Sequence, residues 1–196
     1  MEFEDPIDRF GRIFDEALAL DRKLSPEPTA MTVASVGGDG QPSIRVVLLK
    51  SYDRDGFVFY TNFEGRKGRE LLANPKAALC FHWPHLEIQV RIEGSAKKVS
   101  DAEADAYFAS RPRESQLGAW ASMQSRPIEH EGDLETRLAE YETKFKGGEV
   151  PRPEYWSGFR VMPDRIEFWH NRPSRLHLRH LYVRDGGGWK MDTLYP

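Results

Sequence analysis

Three stretches of this chain place cationic and titratable side chains at spacings that suit anion chemistry. Arg175-Leu176-His177-Leu178-Arg179, read as a strand, sends Arg175, His177 and Arg179 to one face and Leu176 and Leu178 to the other. Three such groups on one face fit an anionic or electron-rich ligand, although the pattern alone is better explained by a solvated edge strand. In Tyr107-Phe108-Ala109-Ser110-Arg111-Pro112-Arg113-Glu114-Ser115, Tyr107 and Arg111 stand four apart on one helical face. A phenol beside a guanidinium there would clamp a phosphate, and Ser115, past the Pro112 break, would add a hydroxyl or a backbone N–H. A local Tyr–Arg packing pair fits the same residues. The third stretch is Arg45-Val46-Val47-Leu48-Leu49-Lys50, with Arg66-Lys67 following Gly65 downstream. These cations suit a phosphate near a helix N-terminus, or serve as ordinary strand-end and first-turn charges; spacing favours neither.

Other chemistries find little support. His82 and His85 flank Trp83-Pro84 without a Cys or carboxylate pattern, so a turn with incidental histidines is expected and no metal site. There is no G-x-S-x-G elbow for a hydrolase and no G-x-G-x-x-G for a Rossmann domain. The single cysteine, Cys80 in KAALCFHW, excludes an intrachain disulfide and reads as a core residue. A formal net charge of −3 argues against general polyanion binding, so any anion site must be local. The acidic start MEFEDPIDRF has no apolar leader core, and no stretch approaches membrane-spanning length, which fits a soluble cytoplasmic protein.

The elements that must position these residues are legible in outline. With 196 residues and eleven Phe and five Trp, one domain with a substantial core is expected over 1–196. Within it, 1–25 forms an N-terminal helix and loop, and 150–196 forms closing strands. Asp5-Pro6 starts a helix, and Ile7, Phe10, Phe14 and Ala17 give it one apolar face to about Leu20, before the loop DRKLSPEP. AMTVASV, SIRVVLLK and FVFYTN, split by the turn signals GGDG and SYDRDG, predict an antiparallel meander. A short helix over Gly65 to Ala73 stops at Asn74-Pro75, followed by strands KAALCFHW and LEIQVRIEGSAKKV. Ser100 and Glu103 predict a capping box on a helix ending near Arg111; helices are also expected around Glu114–Trp120 and over Gly132–Lys146. SGFRVMP, RIEFWH, RLHLRHLYV and GWKMDTL read as further strands with turns between. The order favours a mainly β, antiparallel barrel with surrounding helices over alternating βαβ units.

Nearly the whole chain, from about Asp5, resembles the pyridoxine/pyridoxamine 5'-phosphate oxidase family. The similarity lies in RVVLLK (45–50), FVFYTN (57–62), GRKGREL (65–71), IQVRIEG (88–94), YFASRPRESQLGAWAS (107–122), QS (124–125), GEVPRPEYWSGFRV (148–161), IEFW (166–169) and RLHLR (175–179), in order and at compatible spacing. The resemblance implies an FMN-binding split barrel that forms a homodimer, with FMN in clefts between subunits. It implies oxidation of pyridoxine or pyridoxamine 5'-phosphate to pyridoxal 5'-phosphate, with dioxygen reduced to hydrogen peroxide. Carried over by position, flavin contacts fall on Arg45, Val46, Val47, Leu48, Leu49, Lys50, Tyr60, Thr61, Arg66, Lys67, Gln89, Gln124, Ser125, Trp169 and Arg179. The substrate phosphate falls to Lys50, Tyr107, Arg111 and Ser115, and Arg175, Leu176 and His177 meet the pyridine ring, with Arg175 and His177 as the catalytic pair. Lys50, Arg111 and Arg175 are therefore expected to converge on one cleft.

This chain departs from the family pattern at Leu178, where Asp is usual, and at Thr193, where Arg is usual; nothing before Asp5 supplies the family's Arg-x-x-Tyr arm. Leu178 is expected to point away from Arg175 and His177. Other readings are a related split-barrel flavin oxidase of the phenazine-biosynthesis type and a non-catalytic flavin or pyridoxal-phosphate binder. The phosphate set favours a phosphorylated vitamer over the first, and Arg175 with His177 disfavours the second.

Overall fold

A computed structural model describes residues 3–20, 23 and 27–196, so most of the loop expected over 21–28 lies outside the described residues. The first helix, α1 (Pro6–Ala19), starts as the sequence predicts, with the Asp5 carboxylate accepting the Ile7 N–H at 2.9 Å and Pro6 at its first position. Its buried face carries Ile7, Phe10, Ile13, Phe14 and Ala17.

The strands expected as a meander form instead two hairpins at opposite ends of a sheet. They are β1 (Ala30–Val36) with β2 (Pro42–Leu48), and β3 (Ser51–Asp53) with β4 (Gly56–Asn62); β3 arises within SYDRDG, expected only as a turn, because Ser51–Asp53 pairs with Gly56–Val58 across it. With β5 (Lys76–Trp83), β6 (Ile88–Lys98) and β7 (Trp156–His170), the strand path runs β2-β1-β5-β6-β7-β4-β3, antiparallel throughout. The two ends of that path, β2 and β3, are joined in sequence by Leu49 and Lys50 alone. Consecutive Cα atoms lie about 3.8 Å apart, so the sheet must curl until its ends meet. Turn signals mark where strands stop but not which strands pair, which is why the meander failed. Two more strands, β8 (Leu178–Asp185) and β9 (Gly188–Leu194), extend the sheet from the far half of β7.

The segments expected as separate strands SGFRVMP and RIEFWH form one continuous strand, β7. The register with β6 passes from Gly94↔Pro163 to Glu93↔Arg165, leaving Asp164 as the extra residue of a bulge. A bulge suits Pro163, which has no N–H to give a ladder.

Helix α2 (Arg66–Ala73) follows β4, while α3 (Asp101–Ser110), α4 (Arg113–Ala121) and α5 (Asp133–Lys144) lie between β6 and β7 in sequence. The Ser100 hydroxyl accepts the Glu103 N–H at 3.2 Å, but Glu103 pairs with Arg160 at 3.3 Å; half of the predicted capping box is present. Inside the curl, Phe57, Phe59, Phe81, Val90 and Phe168 pack with Phe10 and Met31. Cys80 alternates with the buried Leu79 and Phe81, so it faces outward and is half-buried instead of sitting in the core.

Buried Arg9 pins α1 to the C-terminal strands. It donates to the Tyr182 hydroxyl, to His170 Nε2 and to His180 Nδ1, each at 3.1 Å, and lies 4.5 Å from the centre of the Phe168 ring. Both imidazoles must be neutral to accept. Burial, then Arg9, lowers both, holding His170 at about 4. In the unfolded chain these histidines titrate near 6.5, so between 6.5 and 4 the unfolded state binds the extra protons. Stability present above pH 6.5 is therefore lost as pH falls through that window, by about 1–2 kcal/mol after discounting for the half-buried setting of His170. Urea midpoints measured from pH 7.5 to 4.5 should fall, and a His170→Gln/His180→Gln variant should lose most of that slope. A parent midpoint flat across the range would overturn the assignment.

Candidate functional site

A cleft of about 510 Å³ opens where the end of β2, the end of β4 and the helices α2 to α4 meet. Val47, Leu48 and Lys50 line one wall, Tyr60 and Thr61 the floor, and Lys67 the α2 side. Tyr107, Arg111 and Ser115 close it from the α3–α4 corner, and Gln124 from the loop after α4. The helix α3 ends before Arg111, whose extended backbone (φ −75°, ψ 149°) turns the chain into Pro112. Ser115 sits in the first turn of α4, where backbone N–H groups lack helical acceptors.

The rings of Tyr60 and Tyr107 stack at 3.9 Å between centres, and Trp156 lies parallel at 5.4 Å from Tyr60. Burial, then Glu103, pushes the Tyr60 phenol up to about 12, so it stays protonated. Gly158 pairs with Tyr60 across β4–β7, and a Cβ there would sit 2.9 Å from the Tyr60 ring. The absence of a side chain at Gly158 thus lets the stack lie flat against the sheet. The Arg111 guanidinium lies 4.6 Å from the Trp156 ring centre, and burial pushes its pKa down. Its Nη1 is buried without a hydrogen-bond partner, the one such side-chain atom among the described residues.

On the other wall, Lys67 Nζ donates to Thr61 Oγ1 and Gln124 Oε1, each at 2.9 Å, and burial followed by the charge of Arg45 lowers its pKa. The Arg66 N–H donates to Ser125 Oγ at 3.1 Å, with Ser125 in a left-handed conformation (φ 69°). A Cβ on Gly68 would lie 2.5–2.6 Å from the Asn62 and Phe63 backbone, so glycine lets α2 seat directly on the end of β4. Arg45 does not line the open cleft: its fork donates to Ser35 Oγ at 2.5 Å and Ser43 Oγ at 2.6 Å. Val46 is 66% exposed on the outer face, and Leu49 is buried in the core.

The remaining sequence-predicted residues gather elsewhere. Gln89, Trp169 and Arg179 are direct partners across β6, β7 and β8 and share the outer face. Arg179 donates to both oxygens of buried Glu167, at 2.8 and 3.0 Å, and to the Tyr195 carbonyl at 3.0 Å; Arg91 grips the same carboxylate. Burial alone would raise the Glu167 carboxyl, but these guanidiniums hold it below its ordinary range. Leu178 alternates to the face opposite Arg179.

The strand reading of Arg175, His177 and Arg179 is overturned. β8 begins at Leu178, and Pro173–Arg175 forms a short 3-10 turn with Ser174 and Arg175 left-handed (φ 57° and 60°). Pro173 and these two conformations end strand geometry, so face alternation does not apply before Leu178. His177 instead packs on Trp169, 4.5 Å between ring centres, and Leu176 is 69% exposed.

Within one chain, Lys50 and Arg111 share the cleft and Arg175 does not. Trp156 at the cleft and Trp169 beside His177 are thirteen residues apart on β7, on the order of 40 Å along a strand. Neither Trp169 nor His177 lines the cleft. Sequence reasoning missed Asn62, Pro112 and Trp156 as cleft residues, and Glu70 and Glu167 as anchors of the arginines. The i,i+4 spacing of Arg66 and Glu70 was a usable signal for one; a lone acid in the apolar run IEFW was a signal for the other. Nothing local marks Trp156.

A curled antiparallel sheet with helices on its rim and a polar cleft at one end defines a split barrel. The chain belongs to the pyridoxine/pyridoxamine 5'-phosphate oxidase family: residues 20–145 match its "pyridoxamine 5'-phosphate oxidase" model and residues 156–196 its "pyridoxine 5'-phosphate oxidase C-terminal dimerisation region" model. Proteins named pyridoxine/pyridoxamine 5'-phosphate oxidase from Myxococcus xanthus (strain DK1622) and Rubrobacter xylanophilus are 59% and 58% identical over 192 residues, covering 98% of this chain and 92% and 87% of theirs. The solved structure of PhzG from Burkholderia lata 383, in complex with tetrahydrophenazine-1-carboxylic acid, superposes with a TM-score of 0.88 at 31% identity, covering 98% of this chain and 93% of that one. An FMN binding protein from Nostoc punctiforme shares the fold, with a TM-score of 0.76 at 16% identity over the full length of both chains. Among the described residues no helix is long and apolar enough to cross a membrane.

Proposed function

We propose that the protein is an FMN-dependent oxidase that converts pyridoxine or pyridoxamine 5'-phosphate to pyridoxal 5'-phosphate, and that two copies build each site. The observation that carries this reading is the buried, unpartnered Arg111 Nη1 in a cleft it shares with Lys50, Tyr107 and Ser115. A charged donor left without an acceptor in a protein interior is costly, and a phosphate oxygen is the acceptor that relieves it. The residues present also fit a phosphorylated cofactor. Helix α2 carries Arg66 and Lys67 in its first turn and no acid there, the unfavourable sign for its dipole by about 0.3–1 kcal/mol per charge until an anion arrives.

In this reading Arg66, Lys67, Thr61, Gln124 and Ser125 hold the flavin of one protomer, with Arg45 behind them and the β2 segment Val46 to Lys50 along its ring. Gln89, Trp169 and Arg179 approach it from the second protomer, on which residues 156–196 match the dimerisation region. When bound, the flavin supplies the two-electron acceptor, and dioxygen takes those electrons to give hydrogen peroxide. Lys50, Tyr107, Arg111 and Ser115 fix the substrate phosphate, which orients the reacting carbon by remote binding. Arg175 and His177 of the second protomer face the pyridine ring. The Arg172 N–H donates to His177 Nδ1 at 3.3 Å, so neutral His177 carries its proton on Nε2 and presents it as a donor. For the amine substrate, hydrolysis of the imine releases ammonia.

The four donors Lys50, Tyr107, Arg111 and Ser115 match the three oxygens and double charge of a phosphate better than the two oxygens of a carboxylate, which favours a phosphorylated vitamer over a phenazine-type ligand. The test mixes the full-length protein, FMN and pyridoxamine 5'-phosphate in air. Peroxide and pyridoxal-phosphate absorbance should rise together, and unphosphorylated pyridoxamine should turn over at least about 100-fold less efficiently. A protein that takes up no FMN, or one indifferent to the phosphate, would refute the reading.

A further inference from the structure

We infer that Glu70, with Ser35 and Ser43, is a positioning device that presets the arginines of the cofactor's phosphate subsite; this rests on the FMN reading above. Glu70 is an acid among cations, on the inner side of α2, and its side chain is 8% exposed. Its Oε1 accepts Arg66 Nε at 2.8 Å. Its Oε2 accepts the Ser35 hydroxyl at 2.6 Å, the Ser43 hydroxyl at 2.5 Å and Arg45 Nη2 at 3.3 Å. The same two hydroxyls accept the Arg45 fork, so arginine, serines and carboxylate close a ring in which each hydroxyl both receives and gives one hydrogen bond.

The consequence for Arg66 follows from which nitrogen is used. Glu70 takes Nε, and Arg66 remains 55% exposed, so both terminal nitrogens stay available beside the α2 N-terminus and Lys67. Arg45 is locked behind them and serves as fixed positive charge, close enough to Lys67 to lower its pKa. Burial alone would raise the Glu70 carboxyl, but its donors hold it at about 2, so the device stays ionised at any pH at which the protein works. A single buried anion thus holds two arginines, Arg45 and Arg66, in place beside Lys67, without occupying the terminal nitrogens of Arg66 that would meet a phosphate.

The test compares FMN with riboflavin, which shares the ring and lacks the phosphate, in fluorescence titrations of the full-length chain. Glu70→Gln puts an amide donor against either Arg66 or the serines. FMN affinity should fall about tenfold while riboflavin affinity stays within about twofold of the parent. Ser43→Ala, which breaks the ring but leaves the charge, should shift FMN in the same direction by a smaller factor and keeps the test open if Glu70→Gln does not fold. Equal loss for both flavins, or no loss for FMN, would overturn the inference. A parent chain that binds neither flavin would instead remove the FMN reading on which it rests.

Discussion

Replacing Arg111 with methionine should leave the unliganded protein at least as stable as the parent while removing most of its efficiency toward phosphorylated substrate. The expectation follows from the unpartnered Nη1. A half-buried guanidinium whose buried Nη1 has no hydrogen-bond partner is a desolvation cost without return in the free protein, so an apolar chain of similar length over Trp156 should stabilise it by about 1 kcal/mol. With substrate, the same change deletes charge-assisted bonds to phosphate, and kcat/KM should fall roughly 100-fold. The unphosphorylated vitamer supplies the control, since its low efficiency should barely change. Thermal melts of the apoprotein and steady-state kinetics with both substrates decide the matter. A melting temperature that drops as for a core truncation would make Arg111 structural.

The second expectation concerns the separation along β7. If Arg111 serves one protomer's cleft and Arg175 reaches the other's, then Arg111→Ala and Arg175→Ala chains are each nearly inactive alone. Unfolded together and refolded at equal ratio, they should regain about a quarter of parental activity, because half of the dimers are mixed and each mixed dimer holds one intact site. Activity that stays at the level of the separate variants would place both arginines in the same protomer's site, against the roughly 40 Å of strand between Trp156 and Trp169.

Much of the fold was legible because local signals were strong. Asp5-Pro6 fixed the start of α1 and Asn74-Pro75 the end of α2, and the segments KAALCFHW and LEIQVRIEGSAKKV located β5 and β6. Pairing was not legible. The path β2-β1-β5-β6-β7-β4-β3 depends on contacts far apart in sequence, and neither turn residues nor alternation encode them. The same limit applies to the site. Lys50, Tyr107, Arg111 and Ser115 meet in one cleft as their residue types suggested, whereas the R-x-H-x-R pattern was read with strand geometry that Pro173 and two left-handed residues deny it. The resemblance supplied Gln89 and Trp169, which no spacing argument would have joined to Arg179. Only the sheet register makes them neighbours.

The grip of Arg9 on Tyr182 also has a consequence for biosynthesis. These residues are 173 positions apart, and β7 must thread between β6 and β4 before the curl exists. A ribosome-bound chain lacking β7 and all that follows it (residues 156–196, about a fifth of its length) therefore exposes the inner faces of β4 and β6 and the apolar side of α1 to solvent. Closure awaits termination of translation. Nascent chains stalled before β7 should accordingly recruit holdase chaperones and resist native-like protection from protease, which full-length chains acquire only after release.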